Sequence, residues 1–396
     1  MKYVMMAAAS ALMLAACAPE AQAPSSPPPV QMSETARSEM DRVNSARFTM
    51  QMPASLADVP AVPASAVPPG SAPPAAPGVV VAAPGAPQPA GETPAAATPG
   101  AGVRYDAGLV RIQALLDRAH FSPGVIDGYD GENVRKAVSA YQLANGLPVN
   151  GLANDALLQR MEAADSSPAL IAYVLTEADV QGPFTDVPEG LEAMSRLTRV
   201  GYESAAEAIA EKFHMDQDLL RTLNPAVDFT TAGTEIVVAN AGGDLSAQVA
   251  SIEVDISDGA VRAFDAANQL VAYYPASIGS GDAPAPIGEH TVRGVAMDPT
   301  YRYDPARLPT FGERDHGALT IPAGPNNPVG AVWIALSADT YGIHGTANPA
   351  QVSKTQSHGC IRLTNWDATE LGRAVRVGVP VSIRQSSVAQ RAARAG

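Results

Sequence analysis

Tyr341-Gly342-Ile343-His344-Gly345-Thr346, followed by Ser357-His358-Gly359-Cys360-Ile361-Arg362, is the stretch from which the rest of the chain is read. It gathers a thiol, two imidazoles, several glycines and a guanidinium in a 396-residue protein that holds only two cysteines. A cysteine nucleophile needs a base to take its proton and fixed donors for the oxyanion that forms. His344 and His358 are the candidate bases. Gly359 permits a tight turn that aims the backbone N–H groups of Gly359 and Cys360 at one carbonyl oxygen. The alternative for a lone cysteine is a small buried hydrophobe. The flanking His and Gly residues speak against it.

His-Gly followed sixteen residues after the His by the Cys of Ser-His-Gly-Cys-Ile-Arg resembles the signature of the L,D-transpeptidase (YkuD-type) catalytic domain, which remodels bacterial peptidoglycan. Pro286-Ile287-Gly288-Glu289-His290-Thr291-Val292 resembles the family's upstream strand, Asn327-Pro328-Val329-Gly330 its Asn-Pro-Leu-Gly turn, and Val377-Gly378-Val379-Pro380-Val381 its closing strand. The resemblance covers residues 248–385. It implies that Cys360 is the nucleophile, that His344 is the base, and that the Gly345 carbonyl orients it. The N–H groups of His358, Gly359 and Cys360 would form the oxyanion hole. Ser357, Tyr341 and Arg362 fall on the substrate side. A guanidinium forks onto carboxylate geometry, so Arg362 either binds a stem-peptide carboxylate or pairs structurally with an acid such as Asp367. His358 either polarises the site or holds its loop, and Tyr341 either lines the groove or packs. The implied chemistry is attack of Cys360 on a donor tetrapeptide, release of D-Ala, and transfer of the acyl group from the thioester to an amine. No cofactor is implied.

At the other end, Lys2 precedes an apolar run from Val4 to Ala16 that is too short to span a bilayer as a helix. Leu14-Ala15-Ala16-Cys17 resembles the lipobox of bacterial lipoproteins, which implies that residues 1–17 are a lipoprotein signal segment whose Cys17 is lipidated and becomes the mature N-terminus. Ala18 favours the outer membrane, and the alternative is an ordinary secretory signal. With Cys17 lipidated, Cys360 has no cysteine left to pair with, as suits a reactive thiol. Residues 18–104 are rich in Pro, Ala, Gly and Ser. Such a composition buries too little apolar surface to offset ordering, so a disordered tether is expected, with a weak helical pattern over 31–50.

Two small modules follow. Leu109, Ile112, Leu116 and Ala119, then Val134, Ala137, Val138 and Tyr141, then Leu157 and Leu158, recur at helical spacing. Over 105–162 this resembles the three-helix peptidoglycan-binding domain, Tyr141-Gln142 standing where the family has Phe-Gln. The loop at Asp127–Gly131 lacks the spacing of a calcium loop, so no metal is expected. Residues 163–197 read as a connector with a possible strand at Ile171–Leu175. Over 198–240, a strand near Leu197–Tyr202, helices opened by Ser204 and Asp216, and a strand at Gly233–Val238 resemble a LysM module, a binder of N-acetylglucosamine polymers. The alternative for each module is a purely structural role.

Alternating Ile252, Val254 and Ile256 open a β-rich domain over 248–385. A hairpin is expected at Val261–Phe264 and Leu270–Tyr274, further strands at His290–Val295, Val332–Leu336 and Val379–Ile383, and a helix at Asp367–Val375 capped by Asn365. Trp333 and Trp366 are expected in the core. His120, His214, His290 and His316 show no ligand spacing and carry no functional expectation. Residues 386–396 read as a tail. The fold class is thus multidomain α+β: a three-helix bundle, a LysM-like βααβ module and a β-rich L,D-transpeptidase sandwich. A net charge of −14 argues against nucleic acid as a partner. The expected partners are peptidoglycan, the outer membrane through a lipid anchor, and an acceptor or activating wall protein. The rival readings are a cysteine hydrolase of the same fold and a non-catalytic wall anchor.

Overall fold

The structure, a computed structural model, describes residues 30–47, 105–280, 283–305, 317–355 and 359–386. Cys17, Ser357 and His358 lie outside the described residues, as do most of the expected tether and the tail.

Part of the expected tether is structured. Helix α1, Glu34–Ser45, begins where the Ser33 side chain accepts the Ala36 N–H, and it buries Met32, Ala36 and Val43. Unlike the Pro-rich stretches around it, this segment carries apolar residues on one helical face. Asn44 fixes it by exchanging two side-chain hydrogen bonds with the Leu170 backbone, at 2.9 and 2.8 Å. Val30 pairs with the chain beside Thr234.

Helices α2 (Ala107–Arg118), α3 (Glu132–Ala144) and α4 (Asp155–Ala164) form the expected bundle. Its turns are held from within. Gln113 Oε1 accepts from Asp127 and Gly128 N–H, and Gln142 Oε1 accepts from Asn150 and Gly151 N–H.

The βααβ unit differs from expectation in its first strand. Strand β1, Leu170–Val174, is the possible strand read at Ile171–Leu175 in the connector, and it pairs antiparallel with β2, Glu235–Ala239. Short helices α5 (Glu177–Gln181) and α6 (Leu191–Met194) intervene before α7 (Ala205–Lys212) and α8 (Gln217–Leu223). The stretch expected as a strand, Leu197–Tyr202, runs instead as a loop whose Val200 backbone bonds to Ala323 and Asn326 of the catalytic domain.

That domain is a nine-stranded sheet in the order β5-β4-β3-β13-β7-β10-β11-β12-β6. The strands are β3 Ser251–Asp255, β4 Ala260–Phe264, β5 Leu270–Pro275, β6 Ser277–Ile278, β7 Gly288–Met297, β10 Val332–Leu336, β11 Gly342–His344, β12 Ile361–Arg362 and β13 Pro380–Arg384. Strand β7 serves two half-sheets: Gly288–Thr291 pair with β13, and Val292–Met297 with β10. Only Ala276 separates β5 from β6, so the two ends of the strand order are adjacent in the chain and the sheet must curl. The result is a sandwich made from one bent sheet. Helix α9, Asn365–Ala374, packs on β10. Its cap is Thr364, whose hydroxyl accepts the Asp367 N–H, rather than Asn365. A separate ribbon, β8 Tyr301–Tyr303 with β9 Leu319–Ile321, stands beside the sheet.

The modules share backbone as well as side chains. Tyr273 of β5 bonds to His120 and Ser122 through its N–H and carbonyl, both at 2.9 Å, which extends the sheet into the helical domain.

Candidate active site

The two halves of the 341–362 stretch meet as neighbouring parallel strands. Ile343 of β11 faces Ile361 of β12, and His344 faces Arg362. Parallel neighbours need a crossover. Here it runs through residues 345–360 and delivers Cys360 at the entry to β12. It is tied down part-way, where Ser353 N–H donates to Ser277 Oγ at 3.0 Å.

His344 is 5 % exposed. Its Nδ1 lies 2.7 Å from the Gly345 carbonyl. A carbonyl only accepts, so Nδ1 carries the hydrogen and Nε2 is left with its lone pair. The indole of Trp333, its neighbour across β10, stacks on the imidazole at 5.7 Å and 21°. Burial lowers the His344 pKa, the bond to Gly345 opposes this, and the Arg362 charge adds to the fall, which reaches about 4. The imidazole is therefore neutral at pH 7.

Cys360 Sγ donates to the Thr340 carbonyl at 3.8 Å. Burial pushes its thiol up, and the Gly342 backbone and the Arg362 charge oppose the rise without cancelling it. The two shifts agree. Burial favours the uncharged form of each group, the thiol of Cys360 and the imidazole of His344.

Gly359 has φ +104°, a backbone region that L side chains avoid, and a Cβ there would stand 2.9 Å from the Tyr341 ring. Tyr341 therefore packs beneath the nucleophile turn, and its hydroxyl donates to Pro284 O at 3.5 Å. Arg362 is half-buried. Among the described residues it has no carboxylate within ion-pair distance. Asp367, weighed as its structural partner, is 3 % exposed and accepts from Ser122 Oγ at 3.0 Å instead.

A cavity of about 660 Å³ opens beside the thiol, lined by Thr300, Tyr301, Arg302, Val329, Trp333 and Thr340 among others. Tyr301 is close enough to Cys360 to feel it: burial first, then the sulfur, push the phenol up to about 12. No group of three or more metal-ligating side chains occurs among the described residues.

Comparison with known proteins gives the site a family. Residues 250–383 match the model of the L,D-transpeptidase catalytic domain, YkuD, and residues 106–161 that of a peptidoglycan binding domain. A Bacillus licheniformis protein assigned as the L,D-transpeptidase YkuD is 30% identical over 179 residues, 45% of this chain and 92% of its own length. The chain belongs to the L,D-transpeptidase family. An Escherichia coli relative, assigned as the L,D-transpeptidase YcfS, is 28% identical over 193 residues, 45% of this chain and 58% of that protein. The crystal structure of L,D-transpeptidase 3 from Mycobacterium tuberculosis overlaps 38% of this chain and 74% of its own at 15% identity and a TM-score of 0.28, too low to argue from.

Sequence reasoning for this L,D-transpeptidase missed three residues of the site. Trp333, expected in the core, is half-buried and stacks on His344. Tyr301 sits on a ribbon with no motif. Asn365, expected as a helix cap, is wedged behind Gly345. A tryptophan in a strand preceding a His-Gly strand is a signal for the first; nothing in the sequence marks the other two.

Proposed function

We propose that the protein is an L,D-transpeptidase of peptidoglycan stem peptides that works through a thioester on Cys360. The reading is carried by the His344 Nδ1–Gly345 carbonyl bond, which leaves a neutral Nε2 as acceptor on the strand adjoining Cys360. The Cys360 sulfur attacks the carbonyl between the third residue and D-Ala of a donor tetrapeptide while His344 Nε2 takes the thiol proton. The backbone N–H groups of Gly359 and Cys360, with His358, stabilise the oxyanion. The proton passes from His344 to the leaving amine, D-Ala departs, and a thioester remains. An acceptor amine then attacks, giving up a proton to His344 and restoring the thiol. Arg362, partly buried and without a carboxylate partner among the described residues, suits a carboxylate of the stem, and the cavity beside Trp333 and Tyr301 suits the peptide.

The other modules fit a wall-facing enzyme in the cell envelope. The helical bundle holds the glycan-rich wall, the βααβ unit acts as a LysM-like glycan contact, and lipidated Cys17 tethers the chain to the outer membrane through residues 18–29, since 30–47 already dock on the βααβ unit. Among the described residues no helix is long and apolar enough to cross a membrane.

The soluble protein, incubated with disaccharide-tetrapeptide and analysed by mass spectrometry beside Cys360→Ala, decides the chemistry. Dimers joined through third residues, absent with the variant, support transpeptidation; tripeptide without dimer makes the protein a hydrolase; no turnover together with no acyl adduct on Cys360 returns it to a wall anchor. A lipid adduct at Cys17 of the membrane-extracted protein tests the tether.

A further inference from the structure

Behind the base stands a chain of contacts that leaves the catalytic domain. Gly345, whose carbonyl holds His344, lies against the side chain of Asn365: a Cβ on Gly345 would be 2.1 Å from Asn365 Oδ1. A Cβ on Gly330 would be equally close to that oxygen and 2.5 Å from the Gly345 carbonyl carbon. Two glycines and one amide thus close on each other with no spare volume. Asn365 is 2 % exposed and is fixed in three directions. Its Oδ1 accepts the Ala331 N–H at 2.8 Å, and its Nδ2 donates to Pro325 O and to Glu211 Oε1, both at 3.0 Å. Glu211 belongs to α7 of the βααβ unit, and the same Oε1 accepts from Tyr202 O–H at 2.9 Å. The βααβ unit also grips the loop before Gly330, where Asn326 Nδ2 donates to Glu207 Oε1 at 2.8 Å.

We infer that Asn365 is a positioning residue for His344, and that Glu211 holds Asn365 from the neighbouring module, so that the catalytic base is aligned only while the βααβ unit is docked. Release of Glu211 leaves the Asn365 amide held only by Ala331 and Pro325, the Gly345 peptide gains room to rotate, and the imidazole loses the fixed acceptor that sets its tautomer. The accessory module is then a part of the catalytic apparatus as well as a candidate wall contact. Catalysis would respond to whatever pulls that module away. The inference rests on the reading of His344 as base.

The test uses the full chain and two reactions of Cys360: acylation by the tetrapeptide donor, and alkylation by iodoacetamide across pH 4–9, both followed by intact mass. Glu211→Ala and Asn365→Ala are expected to slow acylation by roughly 10- to 100-fold. They are also expected to move the acidic limb of the alkylation profile upward, as His344 gains water and returns toward an ordinary imidazole. Glu211→Gln keeps the Oε1 that accepts both bonds, and it should restore acylation to within about threefold of the parent. Where alanine variants fail to fold, the isosteric pair decides, because Asn365→Asp keeps the volume and loses both donated bonds. A slow Asn365→Asp beside a fast Glu211→Gln supports the relay. Parental rate and pH limb in folded Glu211→Ala or Asn365→Asp overturn it, as does a Glu211→Gln as slow as the alanine variant. If the parent fails to use the donor while its alkylation profile still shifts with these variants, the transpeptidase reading falls and the relay stands.

Discussion

His344, buried, and His214, partly buried, are imidazoles each stacked on an indole, and their environments shift their pKa values in opposite directions. His344 lies over Trp333 at 5.7 Å and His214 over Trp366 at 5.0 Å. Burial pulls both pKa values down. At His344 the remaining neighbours are a peptide carbonyl and the Arg362 cation, and the pKa settles near 4. At His214 the Asp117 carboxylate accepts from Nδ1 at 2.9 Å, Asp367 and Glu370 add negative charge, and the pKa ends above its ordinary value. Stacking and burial alone do not make a base. The group on Nδ1, carbonyl or carboxylate, decides whether the pKa of a desolvated ring falls or rises. The first ring sits on β11, an inner strand of the catalytic sheet, the second in a cavity of about 420 Å³ where the three modules meet.

The largest expected break in this symmetry is kinetic. His344→Ala should slow acylation of Cys360 by roughly 10²–10⁴-fold, whereas His214→Ala leaves it within about threefold at a pH and temperature where the variant is folded. Donor-acylation rates by intact mass compare the two; equal losses would mean that position in the site does not distinguish the rings. Next comes titration. The C–H proton resonances of His344 should titrate near pH 4 and those of His214 above the ordinary imidazole value of 6.5, so acylation should hold to about pH 5 and fall as His344 protonates. An acidic limb near 6.5 would contradict the dry environment argued for His344.

Asp117→Asn removes the charge that separates the two rings. It should lower the His214 pKa and cost about 1.5–3 kcal/mol of stability at pH 6, read from denaturant unfolding. The smallest effect concerns pH and the junction as a whole. Burial, opposed by the Asn365 and Tyr202 bonds, raises Glu211 to about 7. The folded chain thus binds a proton at Glu211 that the unfolded chain gives up above pH 4.5. Its contribution is full below that pH and is lost as pH climbs to about 7. His214, also raised, contributes below its unfolded value and loses that contribution as pH climbs through the folded one. Both terms therefore weaken the junction as pH rises. Glu211→Gln, uncharged throughout, should raise the Tm at pH 8 by roughly 2–4 °C and flatten the slope between pH 4.5 and 7; a lower Tm at pH 8 would show that the carboxylate is ionised without penalty.

The sequence carried much of this where a period or a turn residue announced it. The hairpin at Val261–Phe264 and Leu270–Tyr274, the strand Val332–Leu336 and the three helices around Leu116, Val138 and Leu158 were all legible, because each spans enough residues to show alternation or a helical face. Strands β11 and β12, of three and two residues, are too short to carry a period, so the pairing that brings His344 beside Arg362 could not be read locally. The opening strand of the βααβ unit was displaced because the loop around Val200 satisfies its backbone on the catalytic domain. Cys360, His344 and Gly345 could be named from the motif. Asn365 and Glu211 could not, since 154 residues separate them and only the docked fold makes them partners. The same holds for the junction histidine, whose ligand-free spacing hid a contact with Asp117 across 97 residues.

The backbone exchange between Tyr273 and His120–Ser122 has a consequence for how the protein can be divided. Strand β5 ends the written strand order, and an outer strand with bare N–H and C=O groups invites pairing with other chains. Here the helical domain supplies the cover, and Tyr273 and Ala260 lie in that domain's own apolar cluster. A fragment cut at residue 248, where the catalytic family begins, would uncover both the strand and the tyrosine. Such a fragment should aggregate while the longer chain from residue 105 stays monodisperse. The segment that matches the catalytic family, 250–383, is thus smaller than the unit expected to keep its outer strand covered.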